Sequence, residues 1–492
     1  MVRPRSAYLA IDLGASSGRG VVGVLDASGM HLKEVHRFRT PMIELHGHLF
    51  WDIEALATEV LRSLTAALEH EPALRAVSVD SWGVDYVPLA ADGSLVRAPY
   101  AYRDGRTAGR MRQAAQMIGG AQLYAITGIQ FLDINTLPQI LADVSDEPAL
   151  LSQTASRLLI ADFLLYRMSG VRVAERTLVS TTQLMDIRTG EWSVAVMEGI
   201  GDDARRWPRI VPPGTVLGPV LPSLLPASAA RHAPVVIATC SHDTAAAVAA
   251  VPADAGVPWA FISSGTWSLV GAEIDAPILS ASAQDAGFTN EAGVDDTIRF
   301  LKNRMGMWVF EECAREWQVA GNQSAYAAML NDAERAPSCG VTLDLNTPEF
   351  AQRGAMLATL ATACRACGIA LPADRRGIVR LILESIAASL REAIEQLDAL
   401  LGRRSAVIHI VGGGSRIRLL NQLTADACGR RVVAGPYEAT ALGNLLVQAR
   451  ALGDLPDGMS IRQVAARSTT LEFFEPADSF TSPTCQDVNV ER

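Results

Sequence analysis

The chain has 492 residues, of which 49% are hydrophobic and 20% are charged, and its formal net charge is −10. This length predicts two or three domains rather than one. An acidic balance without a basic run excludes the usual electrostatic signature of nucleic-acid or anionic-membrane binding. A small molecule is therefore the expected partner.

The N-terminal residues carry no sign of an export signal. Residues 1–14 lack a long apolar core followed by a small-residue cleavage site. Apolar runs elsewhere are too short to span a membrane. We therefore expect a cytoplasmic protein.

Residues 8–26 contain two apolar runs of period two, joined by a turn of small residues at 14–19. The pattern predicts a β-hairpin whose turn is rich in backbone N–H groups and hydroxyls, which can bind phosphate. Asp12 ends the first run, where it could hold a hydrated Mg²⁺ beside a polyphosphate, and Arg19 adds a fixed positive charge. An ordinary hairpin turn, in which the small residues only supply special dihedral angles, is the alternative.

The same pattern recurs at residues 258–274, where a Ser-Ser-Gly-Thr turn joins two apolar runs. One phosphate-binding turn in each half of the chain is typical of a duplicated nucleotide-binding fold of the actin-like ATPase kind. The chain has only two lysines, Lys33 and Lys302, and neither completes a G-x-x-x-x-G-K-[ST] pattern. A Walker-type P-loop is therefore excluded.

Further elements of the first half follow in order. A third strand is predicted over residues 30–40, and a helix over residues 53–69 with Asp52 as its N-cap. Residues 74–79 form a buried strand that ends in the polar segment 80–85. Polar groups at the carboxyl end of such a strand line the crevice of an α/β sheet.

Two polar segments of the first half favour no single interpretation. Residues 102–107 supply several donors and acceptors in one loop, which suits either a sugar site or a structural Arg–Asp pair. A buried strand at 234–239 is followed by Ser241 and Asp243 and then by a helix. Asp243 is suited to be a catalytic base, but either Ser241 or Asp243 could instead be only the N-cap of that helix.

The second half is predicted from its apolar spacing and its glycines. We expect a helix-like run over 300–317, polar irregular chain over 319–375, a long helix over 377–401, and a buried strand over 406–411 that leads into Gly412, Gly413 and Gly414. A strand, a glycine turn and a helix N-terminus together form a cradle for an anion or a nucleotide.

Taken together, these segments resemble the FGGY carbohydrate kinases. The matching motifs are DLGASSGR at 12–19, WGVD at 82–85, YRDGRT at 102–107, SHDT at 241–244, SSGTWS at 263–268, LKN at 301–303 with Met305, Gly306 and Trp308, GGG at 412–414 and LLNQL at 419–423. They occur in order over most of the chain. The resemblance does not cover the segment after about residue 455.

The resemblance implies an α/β fold of two actin-like (ribonuclease H-like) ATPase domains flanking a catalytic cleft. Expected boundaries are 1–250 for the N-terminal domain, 251–455 for the C-terminal, nucleotide-binding domain and 456–492 for a C-terminal tail. Within the family the motifs are most similar to those of members that use ATP and Mg²⁺ to phosphorylate L-rhamnulose at O1. A monomer or a homodimer is the expected assembly.

The resemblance also implies roles for individual residues. The residues implied to bind ATP are Ala15, Ser16, Ser17, Gly18, Arg19, Thr266, Glu311 and Gly413, and Asp12 is implied to hold the metal. The residues implied to contact sugar are Gly83, His242, Asp243, Thr244 and Asn303, and among them Asp243 is implied to be the proton acceptor. Two positions depart from the pattern: some relatives have Gln at position 311, and Arg416 and Ile417 replace a common Gln-Asn pair.

Two other functions remain open from the sequence. The first is an FGGY kinase for another ketose or polyol, since the scaffold serves many sugars. The second is a non-catalytic, ATP-gated sugar-binding protein. Asp243 argues against the second, because a protein that only binds has no need of a base.

Overall fold

The computed structural model describes residues 5–227, 229 and 232–477. The chain forms two compact units, each assembled from three stretches of sequence. The first unit comprises Met1–Pro252, Glu273–Phe300 and Ala439–Ser468; the second comprises Ala253–Ala272, Leu301–Glu438 and Thr469–Arg492. Among the described residues, no helix has both the length and the apolar character that crossing a membrane requires.

The first unit is built on a six-stranded sheet. In spatial order its strands are Thr215–Pro219, Val235–Ala238, Leu74–Ser81, Ser6–Leu13, Ser17–Asp26 and Gly29–Arg39. The last three are consecutive in the chain and antiparallel, which confirms the predicted hairpin and third strand. Leu74–Ser81 and Val235–Ala238 extend the sheet in parallel. Short strand pairs in this unit are Met42–Leu45 with His48–Trp51, Tyr86–Leu89 with Ser156–Leu159, Ala174–Glu175 with Ile210–Val211, and Met185–Asp186 with Glu191–Trp192.

Helices cover this sheet and extend the unit beyond it. They are Ile53–His70, Arg110–Ile118, Gly120–Thr127, Thr136–Asp146, Pro148–Gln153, Ile160–Ser169, Arg176–Val179, Val194–Gly199, Asp243–Ala249, Ala281–Asp285, Ala439–Ala451 and Ile461–Arg467. Helix Ile53–His70 illustrates the local cause: Ile53, Leu56 and Val60 recur at helical spacing and are buried. The Asp52 side chain accepts a hydrogen bond from the backbone N–H of Ala55, which confirms it as the N-cap.

The second unit repeats the arrangement. Its sheet has seven strands. After the edge strand Thr289–Ala292 come, in order, Ile298–Met305, Trp267–Ile274, Trp259–Ser264, Val407–Val411, Arg431–Ala434 and Glu472–Phe474. Trp259–Ser264 and Trp267–Ile274 form the predicted hairpin, and Val407–Val411 and Arg431–Ala434 extend it in parallel. Its helices are Trp308–Glu316, Gln323–Ala333, Met356–Ala366, Arg375–Leu401 and Arg418–Cys428. The same strand order in both units confirms the duplicated fold.

Two predictions for the second half were wrong. The helix expected over 300–317 is a strand, Ile298–Met305, followed by helix Trp308–Glu316. Consecutive residues of that strand are buried, and its apolar residues Ile298, Phe300, Leu301 and Met305 do not alternate regularly with polar ones, so it has no sustained period-two signal. The irregular chain expected over 319–375 contains Gln323–Ala333 and Met356–Ala366. In helix Met356–Ala366 only Met356, Leu360 and Cys364 are buried, so its sequence carries a weak pattern of apolar spacing.

The unit boundaries also differ from the expected ones. Residues 439–468, which we divided between the C-terminal domain and a tail, belong to the first unit. Gly443 causes this placement in part, because a side chain there would collide with the backbone carbonyl of Ala246. The expected tail contains helix Ile461–Arg467 and strand Glu472–Phe474, and its remainder, 478–492, lies outside the described residues.

Candidate active site

Three strands of the first unit bring carboxylates to one edge of its sheet. Asp12 and Asp80 are register partners on adjacent parallel strands. The backbone N–H of Ser81 donates to the carbonyl of Ser241 at 2.9 Å, so Asp243 follows at the same edge. Carboxyl ends of parallel strands are where α/β sheets bind ligands.

The first turn presents polar groups around one ion pair. Arg19 Nη2 lies 2.8 Å from Asp12 Oδ2, and Nε lies 3.0 Å from the same atom. The turn is closed by a hydrogen bond from the Gly14 N–H to the Ser17 carbonyl, 2.9 Å. Ser16 and Ser17 are exposed and Ala15 is half-buried. Gly18 is required by packing as well, since a Cβ there would collide with the Phe38 ring.

Asp80 is a buried carboxylate to which we assigned no role from the sequence. Its Oδ2 accepts a hydrogen bond from Asn444 Nδ2 at 2.6 Å, and its Oδ1 has no hydrogen-bond partner among the described residues. Burial raises the pKa of Asp80 well above its usual range, and the negative charge of Asp12 adds to the increase. Asp12 and Asp80 therefore form an acidic pair at this edge, and Arg19 compensates their negative charge only in part.

Asp243 lies in the first turn of helix Asp243–Ala249. The N-cap of that helix is His242, which makes no side-chain capping bond, so neither Ser241 nor Asp243 is the N-cap. Asp243 Oδ1 accepts hydrogen bonds from Thr244 N at 2.5 Å and from Thr244 Oγ1 at 3.1 Å. The Asp243 side chain keeps 32% of its surface exposed. A capping role alone does not explain this residue.

The pKa of Asp243 is raised above its ordinary value. Burial is the largest cause, and the charge of Asp12 adds to the increase. A carboxylate with a raised pKa is a better proton acceptor than one in water. Asp243 thus combines accessibility with increased basicity.

Gly83 is held against Thr181. A Cβ at position 83 would lie 2.6 Å from Thr181 Oγ1, and that hydroxyl also accepts a hydrogen bond from the N–H of Val84 at 3.1 Å. Nearby in the sequence, Asp104 and Arg106 have structural partners. Asp104 accepts from the N–H of Leu49 at 2.7 Å, and Arg106 Nη1 lies 2.8 Å from Asp143 Oδ1. The structural interpretation of loop 102–107 therefore applies to these two side chains.

The second unit contains a cavity of about 750 Å³. Its lining combines the Ser-Ser-Gly-Thr turn, helices Trp308–Glu316 and Gln323–Ala333 and the glycine turn. Thr266, Glu311 and Gly413, the three residues of this unit that we expected to bind nucleotide, all line it. The tertiary structure therefore brings these three together.

The two departures from the family pattern lie at this cavity. Thr266 Oγ1 donates to Glu311 Oε1 at 3.2 Å, and burial raises the pKa of Glu311. Arg416 also lines the cavity, with its guanidinium carbon 3.8 Å from the centroid of the Tyr437 ring. This distance is that of a cation–π contact.

In the glycine turn, the structural constraint on the residue differs at Gly412, Gly413 and Gly414. Gly412 has a φ of 81°, which disfavours other residues. A Cβ at Gly414 would collide with Ser264 Oγ, so Gly414 lets the glycine turn approach the Ser-Ser-Gly-Thr turn. Gly413 has no neighbouring atom within 4 Å of an added Cβ and faces open space.

These differences predict opposite effects of two adjacent substitutions. Gly414→Ala should destabilise the protein by roughly 1–3 kcal/mol, the usual cost of overpacking. Gly413→Ala should change stability by less than about 0.5 kcal/mol, yet weaken ATP binding, because its methyl group projects into the cavity. Denaturant unfolding and calorimetric titration with ATP measure the two effects. Equal stability losses in the two variants would contradict this assignment.

The residues expected to contact sugar are divided between the units. Gly83, His242, Asp243 and Thr244 belong to the first unit, whereas Asn303 is half-buried on strand Ile298–Met305 of the second.

Three residues near the first-unit site were missed from the sequence, namely Glu291, Arg299 and Asn444, whereas Asp80 was expected at the crevice only as part of the polar segment 80–85. Asp80 had a signal, because it comes directly after the predicted strand 74–79; in the structure it lies within strand Leu74–Ser81. Arg299 and Asn444 had none, since each occurs within an apolar segment and its partner is distant in the sequence.

Comparison with known proteins assigns both halves of the chain. The N-terminal domain model of the FGGY family of carbohydrate kinases matches residues 7–250, and the C-terminal domain model matches residues 260–452. A rhamnulokinase of Bacteroides thetaiotaomicron is 38% identical over 474 residues, which are 96% of each chain. A rhamnulokinase of Enterococcus faecalis is 39% identical over 477 residues, 96% of this chain and 95% of its own.

Solved structures agree on the fold. A gluconate kinase from Lactobacillus acidophilus has a TM-score of 0.77 at 16% identity, covering 99% of this chain and 95% of its own. A Plasmodium falciparum glycerol kinase with ADP has a TM-score of 0.74 at 15% identity, covering 96% and 94%. The fold is thus the two-domain, actin-like fold of these kinases. With both domain models matched and relatives above 30% identity along nearly its whole length, the chain belongs to the FGGY family of carbohydrate kinases.

Proposed function

We propose that this kinase transfers the γ-phosphate of ATP to O1 of L-rhamnulose. Relatives at 38–39% identity over 96% of the chain are named rhamnulokinases. The observation that carries the proposal is the position of Asp243: it is partly exposed, its pKa is raised by burial and by the charge of Asp12, and it lies at the same edge of the sheet as Asp12 and Asp80. The proposed location is the cytoplasm, where ATP is available to the enzyme.

Asp243 is the proposed base. It accepts the proton of the O1 hydroxyl as O1 forms a bond to the γ-phosphorus, and the bond from that phosphorus to the β,γ-bridging oxygen breaks with its electrons leaving on ADP. Gly83, His242, Thr244 and Asn303 are the proposed sugar contacts. Their task is to hold O1 in line with the γ-phosphate, since positioning supplies much of the acceleration in such reactions.

ATP contacts are proposed for each unit separately, as the resemblance to the family implies. In the first unit Ala15, Ser16, Ser17, Gly18 and Arg19 would contact phosphates. In the second unit Thr266, Glu311 and Gly413 line a cavity of about 750 Å³, a size within the range of small-molecule sites. The open space at Gly413 allows a ligand to reach the backbone there.

The residues around Asp12 fit a hydrated Mg²⁺. Among the described residues, no three His, Cys, Asp or Glu side chains form a metal cluster, and Mg²⁺ commonly uses only one or two carboxylates with waters and phosphates. The charge of Asp12 raises the pKa values of Asp80 and Asp243 even though Arg19 is paired with it. When bound, the ion would neutralise phosphate charge during the transfer. Asp12 is the proposed ligand.

A substrate screen tests the proposal. ADP release would be measured with L-rhamnulose and a panel of other ketoses and polyols, and the phosphorylated carbon would be identified by NMR of the product. We expect the highest kcat/KM for L-rhamnulose and phosphate on O1. A higher kcat/KM for another sugar would make this a kinase of that sugar. Sugar binding without phosphorylation of any compound would favour the ATP-gated binding protein.

A further inference from the structure

A buried arginine lies behind the histidine that precedes Asp243. Arg299 is fully buried, and its Nη2 lies 3.1 Å from His242 Nδ1. Its Nη1 lies 3.0 Å from Glu291 Oε2. Its Nε donates to the carbonyl of Ala292 at 3.1 Å. All three nitrogens of the guanidinium are therefore close to a defined acceptor within the first unit.

This contact determines which nitrogen of His242 carries a proton. A guanidinium only donates hydrogen bonds and keeps its charge. Nδ1 of His242, opposite Arg299 Nη2, must therefore be the acceptor. A neutral imidazole that accepts at Nδ1 carries its proton at Nε2. The Nε2 atom lies 3.4 Å from Asp243 Oδ1, so the N–H is on the same side as the base.

Glu291 balances the charge of Arg299. Its Oε2 also lies 3.4 Å from His242 Nδ1. Although burial opposes it, the charge of Arg299 holds the pKa of Glu291 below its usual range. Without Arg299, the nearest charged neighbour of Nδ1 would be this carboxylate. That carboxylate would attract a proton to Nδ1 instead.

Hydrogen bonds hold both sides of the contact in place. On one side, the N–H of Ala292 donates to Ser180 Oγ at 2.9 Å. On the other side, the N–H of Ser241 donates to Glu175 Oε2 at 3.0 Å, and the N–H of His242 donates to Thr177 Oγ1 at 3.3 Å. Hydrogen bonds therefore hold the backbone of His242 and the backbone of Ala292, whose carbonyl accepts from the Arg299 guanidinium.

We propose that Arg299, neutralised by Glu291, is a positioning residue that keeps His242 neutral and protonated at Nε2, so that its N–H is directed to the sugar hydroxyl and Asp243. A protonated His242 beside Asp243 would weaken the base by attracting its negative charge. A proton at Nδ1 would leave no donor on the substrate side. The inference rests on the proposed function only in giving Asp243 and the sugar their roles.

Nitrogen NMR of histidine-labelled protein tests the tautomer directly. The chain has eight histidines, and His242→Gln identifies the signal of His242. In the parent protein we expect Nε2 protonated and Nδ1 unprotonated. In Arg299→Met we expect Nδ1 to become protonated toward Glu291. A parent protein with Nδ1 protonated would overturn the inference.

Kinetics separate positioning from a structural role. Arg299→Met should lower kcat by about 10–100-fold, the usual effect of removing an outer partner of a site histidine, with little change in KM for ATP. Arg299→Lys, which keeps a donating cation, should restore part of kcat. Glu291→Gln is the second variant if Arg299→Met does not fold. It leaves the arginine in place, so His242 should stay protonated at Nε2 while kcat falls less.

Arg157→Lys is the matched control. Arg157 is a second buried arginine of the first unit, paired with Asp202 at 2.7 Å. Replacing its guanidinium should lower the stability of the protein without changing the His242 signal or kcat per folded molecule. Equal kcat losses in the Arg157 and Arg299 variants would show a structural effect and overturn the inference. If the expected tautomer occurs but no sugar is phosphorylated, the proposed function fails and the tautomer assignment stands.

Discussion

Asp243→Asn is expected to lower kcat by about 10²–10⁴-fold, the usual contribution of a general base. The amide is the same size and its oxygen can still accept the hydrogen bonds from Thr244. Folding and ATP affinity should therefore be close to those of the parent protein. Steady-state kinetics, thermal unfolding and ATP titration measure the three quantities.

Ser241→Ala is the control for this prediction. Ser241 is buried two residues away, and its hydroxyl has no hydrogen-bond partner among the described residues. Its removal should leave kcat nearly unchanged. In the parent protein kcat/KM should fall as pH decreases through the raised pKa of Asp243, because the protonated carboxyl cannot accept a proton. A fully active Asp243→Asn variant would disprove the role of the base.

Asp12→Asn is expected to lower kcat about 10²-fold and to raise the Mg²⁺ concentration needed for half-maximal rate. A bound metal supplies several kcal/mol to such a transition state, and each 1.4 kcal/mol lost is a factor of ten. The variant also removes the partner of Arg19. Kinetics at increasing Mg²⁺ separate the two effects, since excess metal restores the rate only if metal binding is what was lost.

Asp26→Asn is the control for this variant. Asp26 ends the second strand of the same hairpin, and its neighbours Ser28 and His31 lie in the adjoining turn and strand. Because Asp12 lies at the opposite end of the hairpin, Asp26→Asn should leave the Mg²⁺ dependence unchanged. The same Mg²⁺ dependence in Asp12→Asn and the parent protein would remove Asp12 from the metal site.

The parts of this protein that could be predicted are those with a local cause. Both hairpins have period-two apolar runs and small-residue turns, and both are present. The helix after Asp52 and the long helix Arg375–Leu401 follow from apolar spacing and capping. Such signals depend on neighbours a few residues away, so no tertiary information is needed.

Predictions failed where burial overrides local pattern. Strand Ile298–Met305 was predicted as a helix because both of its faces are buried, which removes the alternation that identifies a strand. In the same way, nothing in the sequence of residues 439–468 indicates that Gly443 packs on Ala246, so local pattern does not reveal their place in the first compact unit. Burial is a property of the folded chain.

The candidate site divides in the same way. The sequence by itself determined the two small-residue hairpin turns, the glycine turn and the position of Asp243 between a strand and a helix, because strand, turn and helix boundaries have short-range patterns. Only the tertiary structure decided that Asp80 lies beside Asp12 and that Arg299 reaches His242, 57 residues away. Partners so far apart are joined by sheet register and packing, and residue type or spacing does not encode those contacts.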